Sequence, residues 1–223
     1  MNLGFRINSI IERPEKSMID DFSLLPSANV GDVLNRQFCI SGELKKINSP
    51  KLCGPALTVF LRNGDNLLLY KAVQLAEKGD VIVVNAKGGM DNAIMGELIL
   101  RWAESKGVAG FIINGAIRDI DYISKSTVPV YALGVTPAGP YKDGVGEINH
   151  PITIDNVVIT PGDIVLGDDD GIVVINKHHA EIILNRAKNI TIKEKDIIVD
   201  IENGAWNMNW LDERLKGLGC HIK

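Results

Sequence analysis

Three continuous apolar runs constrain this chain more than any other feature: VIVVNA (81–86), VAGFIING (108–115) and VPVYALGV (128–135). A strand that is apolar at every position has both faces covered, which is the signature of a parallel sheet inside a layered protein. Helical patterns sit between the runs. ELILRWAESKG (97–107) ends in Gly107, a C-terminal stop, and AIRDIDYISKS (116–126) leaves room for one short helix. The same grammar precedes them: CGPALTVFLR (53–62) reads as a strand entering from a turn, and NLLLYKAVQLAEK (66–78) as a helix with Asn66 as its cap. Strand and helix in alternation predict an α/β fold.

The flanks differ in style. SANVGDV (27–33) predicts a short helix capped by Ser27 or Asp32, and KGGMDNAIMG (87–96) a Gly-rich loop. TPAGPYKDGVGEINHP (136–151) reads as a long loop, and ITIDNVVITPGDIVLGDDDGIVVI (152–175) as a β meander with turns at Asp155-Asn156 and Asp168–Gly171. An amphipathic helix follows over 177–195. No repeat or linker interrupts the chain, so a single domain over 1–223 with a C-terminal helical extension is expected. At 223 residues it can bury a full core, and 45% apolar with 23% charged residues argues against disorder. A net charge of −4 is the wrong sign for coating nucleic acid or an anionic membrane. Three cysteines without a CxxC pair, no signal-peptide core and no membrane-length apolar run point to the cytoplasm.

One constellation suggests chemistry: Gly96-Glu97-Leu98-Ile99 at a helix start, then Arg118-Asp119 one helix and one strand later. A Gly-rich entry into a helix offers unpaired backbone N–H groups for a carboxylate or phosphate. Arg118 could add a bidentate fork for the same anion, and Asp119 a hard oxygen ligand for Mg²⁺. The plainer reading is a solvated Arg-Asp turn with Glu97 favoured by the helix dipole.

GELILRWAESKGVAGFIINGAIRD (96–119), with GPALTV upstream and VPVYALGVTP downstream, resembles the RraA-like family. That family holds 4-hydroxy-4-methyl-2-oxoglutarate aldolases that also decarboxylate oxaloacetate, together with regulators of ribonuclease E activity. Its pattern is an acidic residue, twenty positions, then Arg-Asp; here Glu97 and Arg118-Asp119 enclose Leu98 to Ile117. The resemblance spans about residues 20 to 185, and it is carried by several motifs in order. It implies a layered β/β/α swivelling-domain fold, similar to phosphohistidine domains, assembled as trimers or hexamers with sites near subunit interfaces. It implies that Gly96, Glu97, Leu98 and Ile99 bind the pyruvyl group, partly through backbone amides. Arg118 would contact carboxylate and keto oxygens, Asp119 would hold Mg²⁺ or Mn²⁺, and Glu97 would share in proton transfer near the metal's waters. Two positions depart from the family pattern: Tyr122, with Asp121 beside it, stands where an acidic residue is common, and Asn114 stands where Asp is typical.

The implied reaction is retro-aldol cleavage or β-decarboxylation of a small 2-oxo acid through a metal-stabilised pyruvate enolate, without a Schiff-base lysine. The alternative is a non-catalytic regulator binding a ribonuclease or helicase; retention of Asp119 favours the enzyme. A methyltransferase is set aside because no GxGxxG follows a first strand. Elsewhere the plainer readings prevail. Asp168–Gly171 is a turn, His178-His179 and His150 are surface histidines, Lys87 is an exposed lysine, and Cys39 and Cys53 pack as small apolar residues. Trp206 and Trp210 are spaced to anchor one helical face on the core or a neighbouring subunit.

Overall fold

The computed structural model describes residues 2–40 and 42–221. The chain divides into two compact units, Met1–Ala187 and Lys188–Lys223. In chain order the first opens with β1 (Arg6–Ile7), α1 (Lys16–Ser23), α2 (Ser27–Val33), β2 (Cys39–Ile40) and β3 (Lys45–Lys46). The alternating section follows as β4 (Leu52–Leu61), α3 (Leu67–Leu75), β5 (Val81–Met95), α4 (Glu97–Lys106), β6 (Gly110–Ile117), α5 (Ile120–Ile123) and β7 (Val130–Val135). Short strands β8 (Gly146–Ile148), β9 (Ile152–Ile154), β10 (Val157–Ile159), β11 (Ile164–Gly167) and β12 (Ile172–Ile175) come next, then a 3₁₀ turn and α6 (Ala180–Glu202). The second unit holds the rest of that helix and α7 (Trp210–Gly217).

Strands β4, β5, β6 and β7 pair in parallel, as the apolar runs predict. Alternate side chains of β5 serve two cores. Ile82 and Val84 pack with Leu69 and Val73 of α3 and with Leu100 and Ala103 of α4. Val81 and Val83 face Val165 and Val174 of a second, antiparallel sheet. Strand β4 belongs to both sheets: Ala56–Phe60 pairs with β5, while Leu52–Pro55 pairs antiparallel with β11. The other face of β11 and β12, through Ile164, Leu166, Val173 and Ile175, packs on Phe22 of α1, Val30 of α2 and Ile183 and Leu184 of α6. The β/β/α layering expected from the resemblance is present, with an outer helical layer added on the second sheet.

Several local expectations need correction. The residues at the N-cap of α2 are not Ser27 or Asp32 but Pro26. Ser27 instead donates from both its amide and its hydroxyl to Asp168, 2.7 and 2.5 Å away, so the Asp168–Gly171 turn also anchors α2. The Gly-rich segment 87–95 is not a loop but the end of β5, kept on β6 by three register shifts. Such irregular pairing needs permissive backbone, and Lys87 and Gly88 both have positive φ. Trp206 precedes α7 rather than sharing a helical face with Trp210; both are exposed in this chain. Helix α6 extends to Glu202, past the expected end. The Asp155-Asn156 turn does join β9 to β10, both residues having positive φ as a tight hairpin requires. No helix among the described residues is long and apolar enough to cross a membrane.

Candidate active site

The spacing between Glu97 and Arg118 is one helix, α4, and one strand, β6. Met95, the last residue of β5, is in register with Ile117, the last residue of β6, so the residues leaving these strands meet at the carboxyl edge of the sheet. This is where layered α/β proteins place ligands. The Arg118 amide donates to the Met95 carbonyl at 2.9 Å, locking the junction. Gly96 is required there: a Cβ on it would land on the Asp119 carboxylate and come within 3.0 Å of Arg118 Cγ. A second glycine, Gly139, has the same function on the opposite side, since its Cβ would stand 3.0 Å from Arg118 Nη1.

Asp119 adopts a left-handed backbone, φ 60 and ψ 43. Aspartate tolerates that region better than most residues, and strained positions of this kind cluster at functional sites. Its Oδ2 accepts a hydrogen bond from the Glu97 amide at 2.9 Å, satisfying one open donor of helix α4. Oδ1 accepts no protein hydrogen bond among the described residues and is the oxygen a metal would use. Arg118 Nε lies 3.7 Å from Asp119 Oδ2, and both side chains are partly exposed. The amides of Leu98 and Ile99 have no intrahelical acceptor, because the first bond of the helix runs from Leu100 to Gly96. They are open to an anion at the positive end of the helix.

These groups line a cleft of about 200 Å³. Gly96, Leu98, Ile99, Arg118 and Asp119 form one wall; Asn66, Tyr70, Gly139, Pro140 and Lys142 are in its lining as well. Glu97 is brought to the site only through its backbone. Its carboxylate pairs with Arg101 one turn along the helix at 2.7 Å, and Arg101 in turn lies 4.0 Å from the Tyr122 ring. The Glu97 side chain is absent from the cleft's lining. Tyr122, at the position where the family pattern is acidic, donates to Glu104, which pushes its hydroxyl pKa up. Asn114 lies apart, in a small recess with Glu43 and Asp155.

A divalent metal can be tested against this donor set. Among the described residues no group of three or more His, Cys, Asp or Glu side chains could hold an ion, which does not fit zinc and its three or four protein ligands. A single open carboxylate oxygen fits Mg²⁺ or Mn²⁺, hard ions that keep most of their waters or take oxygens from substrate.

Sequence reasoning missed the far side of the cleft. Asn66 does stand at the N-cap of α3, as the sequence predicts, but its side chain makes no cap hydrogen bond and donates instead to the Ile94 carbonyl at 2.9 Å. Asp65, next to it, caps α3 by accepting from the Leu67 amide. The other Asp65 oxygen accepts from the Asp143 and Gly144 amides at 2.8 and 2.7 Å, pinning the 139–145 segment. The one available signal was a pair of polar residues, Asp65-Asn66, before an apolar helix; nothing in it announced a contact with residues so far along the chain.

The RraA-like (Aldolase/RraA) family model matches residues 27–174. A provisionally named 4-hydroxy-4-methyl-2-oxoglutarate aldolase of Halalkalibacterium halodurans is 39% identical over 179 residues, covering 80% of this chain and 85% of that protein. Among solved structures, an uncharacterized protein of Pseudomonas syringae pv. tomato superposes with a TM-score of 0.78 at 24% identity, covering 86% of this chain and 96% of that one. That likeness concerns the fold alone. RraAS2 of Streptomyces coelicolor, described as an unusual member of the RNase ES inhibitor RraA protein family, superposes with a TM-score of 0.74 at 26% identity, covering 82% and 97% of the two chains.

Proposed function

The chain belongs to the RraA-like Aldolase/RraA family, and from that premise we propose that it is a carbon–carbon lyase, a divalent-metal-dependent class II aldolase or decarboxylase of pyruvyl-containing 2-oxo acids. The observation that carries the reading is the meeting of Arg118, Asp119 and the open amides of α4 in one cleft. Retro-aldol cleavage and β-decarboxylation both leave the electron pair of the broken C–C bond on a pyruvate enolate. Arg118, a fixed cation on the cleft wall, stabilises the negative charge that develops on the enolate oxygen. The amides of Leu98 and Ile99 hold the substrate's 1-carboxylate at the helix start. Asp119 holds Mg²⁺ or Mn²⁺, which when bound supplies Lewis-acid stabilisation of the same oxygen. Gly96 and Gly139 keep the cleft open to these groups. A share for Glu97 in proton transfer requires its carboxylate to leave Arg101.

Further elements of the proposal concern context. Leu98, Ile120, Val135 and Tyr141, at and beyond the cleft wall, are exposed apolar side chains, which favours a homotrimer or hexamer that covers them. Three free cysteines favour the cytoplasm. A second reading, a regulator that binds a ribonuclease, is favoured by the description of the Streptomyces relative.

Pyruvate release from oxaloacetate and from 4-hydroxy-4-methyl-2-oxoglutarate, with Mg²⁺ and then with EDTA, tests the proposal. Metal-dependent release above the rate of metal alone supports the lyase. No release from either, with the folded oligomer intact, moves the assignment to the regulator.

A further inference from the structure

The apolar stripe of α6 does not stop where its core does. Ala180, Ile183, Leu184 and Ala187 are buried on the outer face of the second sheet. The same helical face continues through Ile190, Ile197, Ile198 and Ile201, interrupted by Thr191 and Glu194. There the side chains are open: Ile197, Ile198 and Ile201 are 38%, 52% and 49% exposed. No described residue from 188 to 221 is buried, so the second unit has no core of its own.

A helix of this composition needs cover. Seven of the fifteen residues from 188 to 202 are β-branched, which lowers helix propensity. Most helical stability in water comes from packing an apolar face, and short helices held by propensity alone are marginal. A membrane surface is a poor partner. Helices that lie on anionic lipid carry a basic polar face, whereas 188–202 holds three basic and four acidic residues.

The charges beside the stripe identify a better one. One flank carries Lys193 and, two helical turns later, Asp200; the other carries Lys195 and, two turns later, Glu202. Both flanks therefore run from basic to acidic in the same direction. Two such helices laid antiparallel, crossing at Ile197 and Ile198, bring each flank against its own copy reversed. Lys193 then meets the other copy's acid at 200, and Lys195 the acid at 202. A parallel pair in register would set the basic level on the basic level and the acidic on the acidic. The stripe is self-complementary in the antiparallel sense.

We propose that the exposed half of α6 is a pairing surface for a second copy of this chain, the two helices antiparallel about a twofold axis between Ile197 and Ile198. The isoleucines supply the buried area, and the flanking charges set direction and register, as flanking charges do in coiled coils. The surface lies beyond the residues 27–174 that the family shares, and it uses none of the apolar side chains around the cleft. It is thus a second interface, one that joins copies two by two and makes a hexamer of the proposed trimers. It stands independently of the lyase chemistry.

Light scattering of the full chain at low ionic strength, where exposed charges are least screened, tests the pairing. Wild type is expected to contain an even number of chains. Lys193→Glu with Lys195→Glu leaves only acids at the four flanking positions, and Asp200→Lys with Glu202→Lys leaves only bases. Each double variant alone is expected at half the wild-type mass, and an equal mixture of the two is expected to regain it. Recovery on mixing also serves as the folding control, since misfolded chains do not assemble to a defined mass. Ile197→Ser with Ile198→Ser, which leaves every charge in place, is expected to halve the mass as well. Variants that all keep the wild-type mass overturn the pairing. An odd-numbered wild-type assembly overturns it too and leaves the stripe to a different protein. Halved masses without recovery on mixing overturn the antiparallel register.

Discussion

At the residue scale, the two oxygens of Asp119 are in different situations. Oδ2 accepts from the Glu97 amide, and Oδ1 is the oxygen to which the proposed function gives the metal. The two separate by substitution. Asp119→Asn keeps an acceptor at the helix start but loses the charge, so metal-dependent turnover is expected to vanish with the unfolding midpoint near wild type. Asp119→Ala loses both, adding a destabilisation of about 1 kcal/mol for the missing cap. If Asp119→Asn retains full turnover with Mg²⁺, the metal assignment is wrong. Arg118→Lys is expected to lose most of the activity while the protein stays folded, because a point charge cannot reproduce the planar fork; wild-type steady-state kinetics would remove Arg118 from the site. The family pattern at these residues was legible in the sequence, but the division of labour was not. Glu97 illustrates why: an acid at i and an arginine at i+4 pair on a helix surface, and that local geometry takes the carboxylate to Arg101.

At the element scale, buried or half-buried carboxylates fasten segments that the hydrophobic layers do not hold. Asp65 does this for 139–145, accepting from three backbone amides. Removing it leaves those donors unpaired, so Asp65→Ala is expected to cost about 2–4 kcal/mol and to raise protease sensitivity near Lys142. An unchanged denaturation midpoint would show that the segment is held otherwise. Strand β1 is fastened by Glu147, which accepts from Arg6 at 2.7 Å and from the Gly4 amide at 3.0 Å. The hydrogen bond from Arg6, with help from the Gly4 amide and the nearby positive charge, holds the Glu147 pKa below its ordinary value. A lowered folded pKa means the stabilisation is complete above the unfolded carboxylate pKa and is lost as pH falls through the lowered value. Amide exchange at Arg6 and Ile7 should therefore accelerate on acidification below the usual glutamate range, and Glu147→Gln should show faster exchange already at neutral pH. Exchange that ignores both changes would mean that the backbone ladder to β8 suffices.

At the scale of the whole molecule, the exposed apolar surface near the cleft bears on assembly. Exposed apolar side chains near the cleft are expected to be covered by other copies of the chain, and light scattering should return a mass that is a multiple of three chains of 24.3 kDa. A monomeric mass with full activity would show that the cleft is complete without a neighbour. The layered core of the first unit was readable in advance because continuous apolar runs have few solutions: their alternate faces both need cover, and helices with matching stripes lie between them in the chain. The Asp155-Asn156 hairpin and the Gly107 stop were readable because turn chemistry is local. The course of 87–95 as strand was not, since glycines that suggest a loop also permit bulged pairing, and only β6 alongside makes the choice. The Asp65 clamp, the Ser27–Asp168 contact and the placement of Lys142 over Tyr70 join residues separated by roughly 70 positions or more. Hydrophobic period and turn residues fix which elements form, because those preferences act within a few neighbours. Which polar groups end up facing one another across the cleft is decided by how the finished layers bring distant loops together, and no local pattern encodes that.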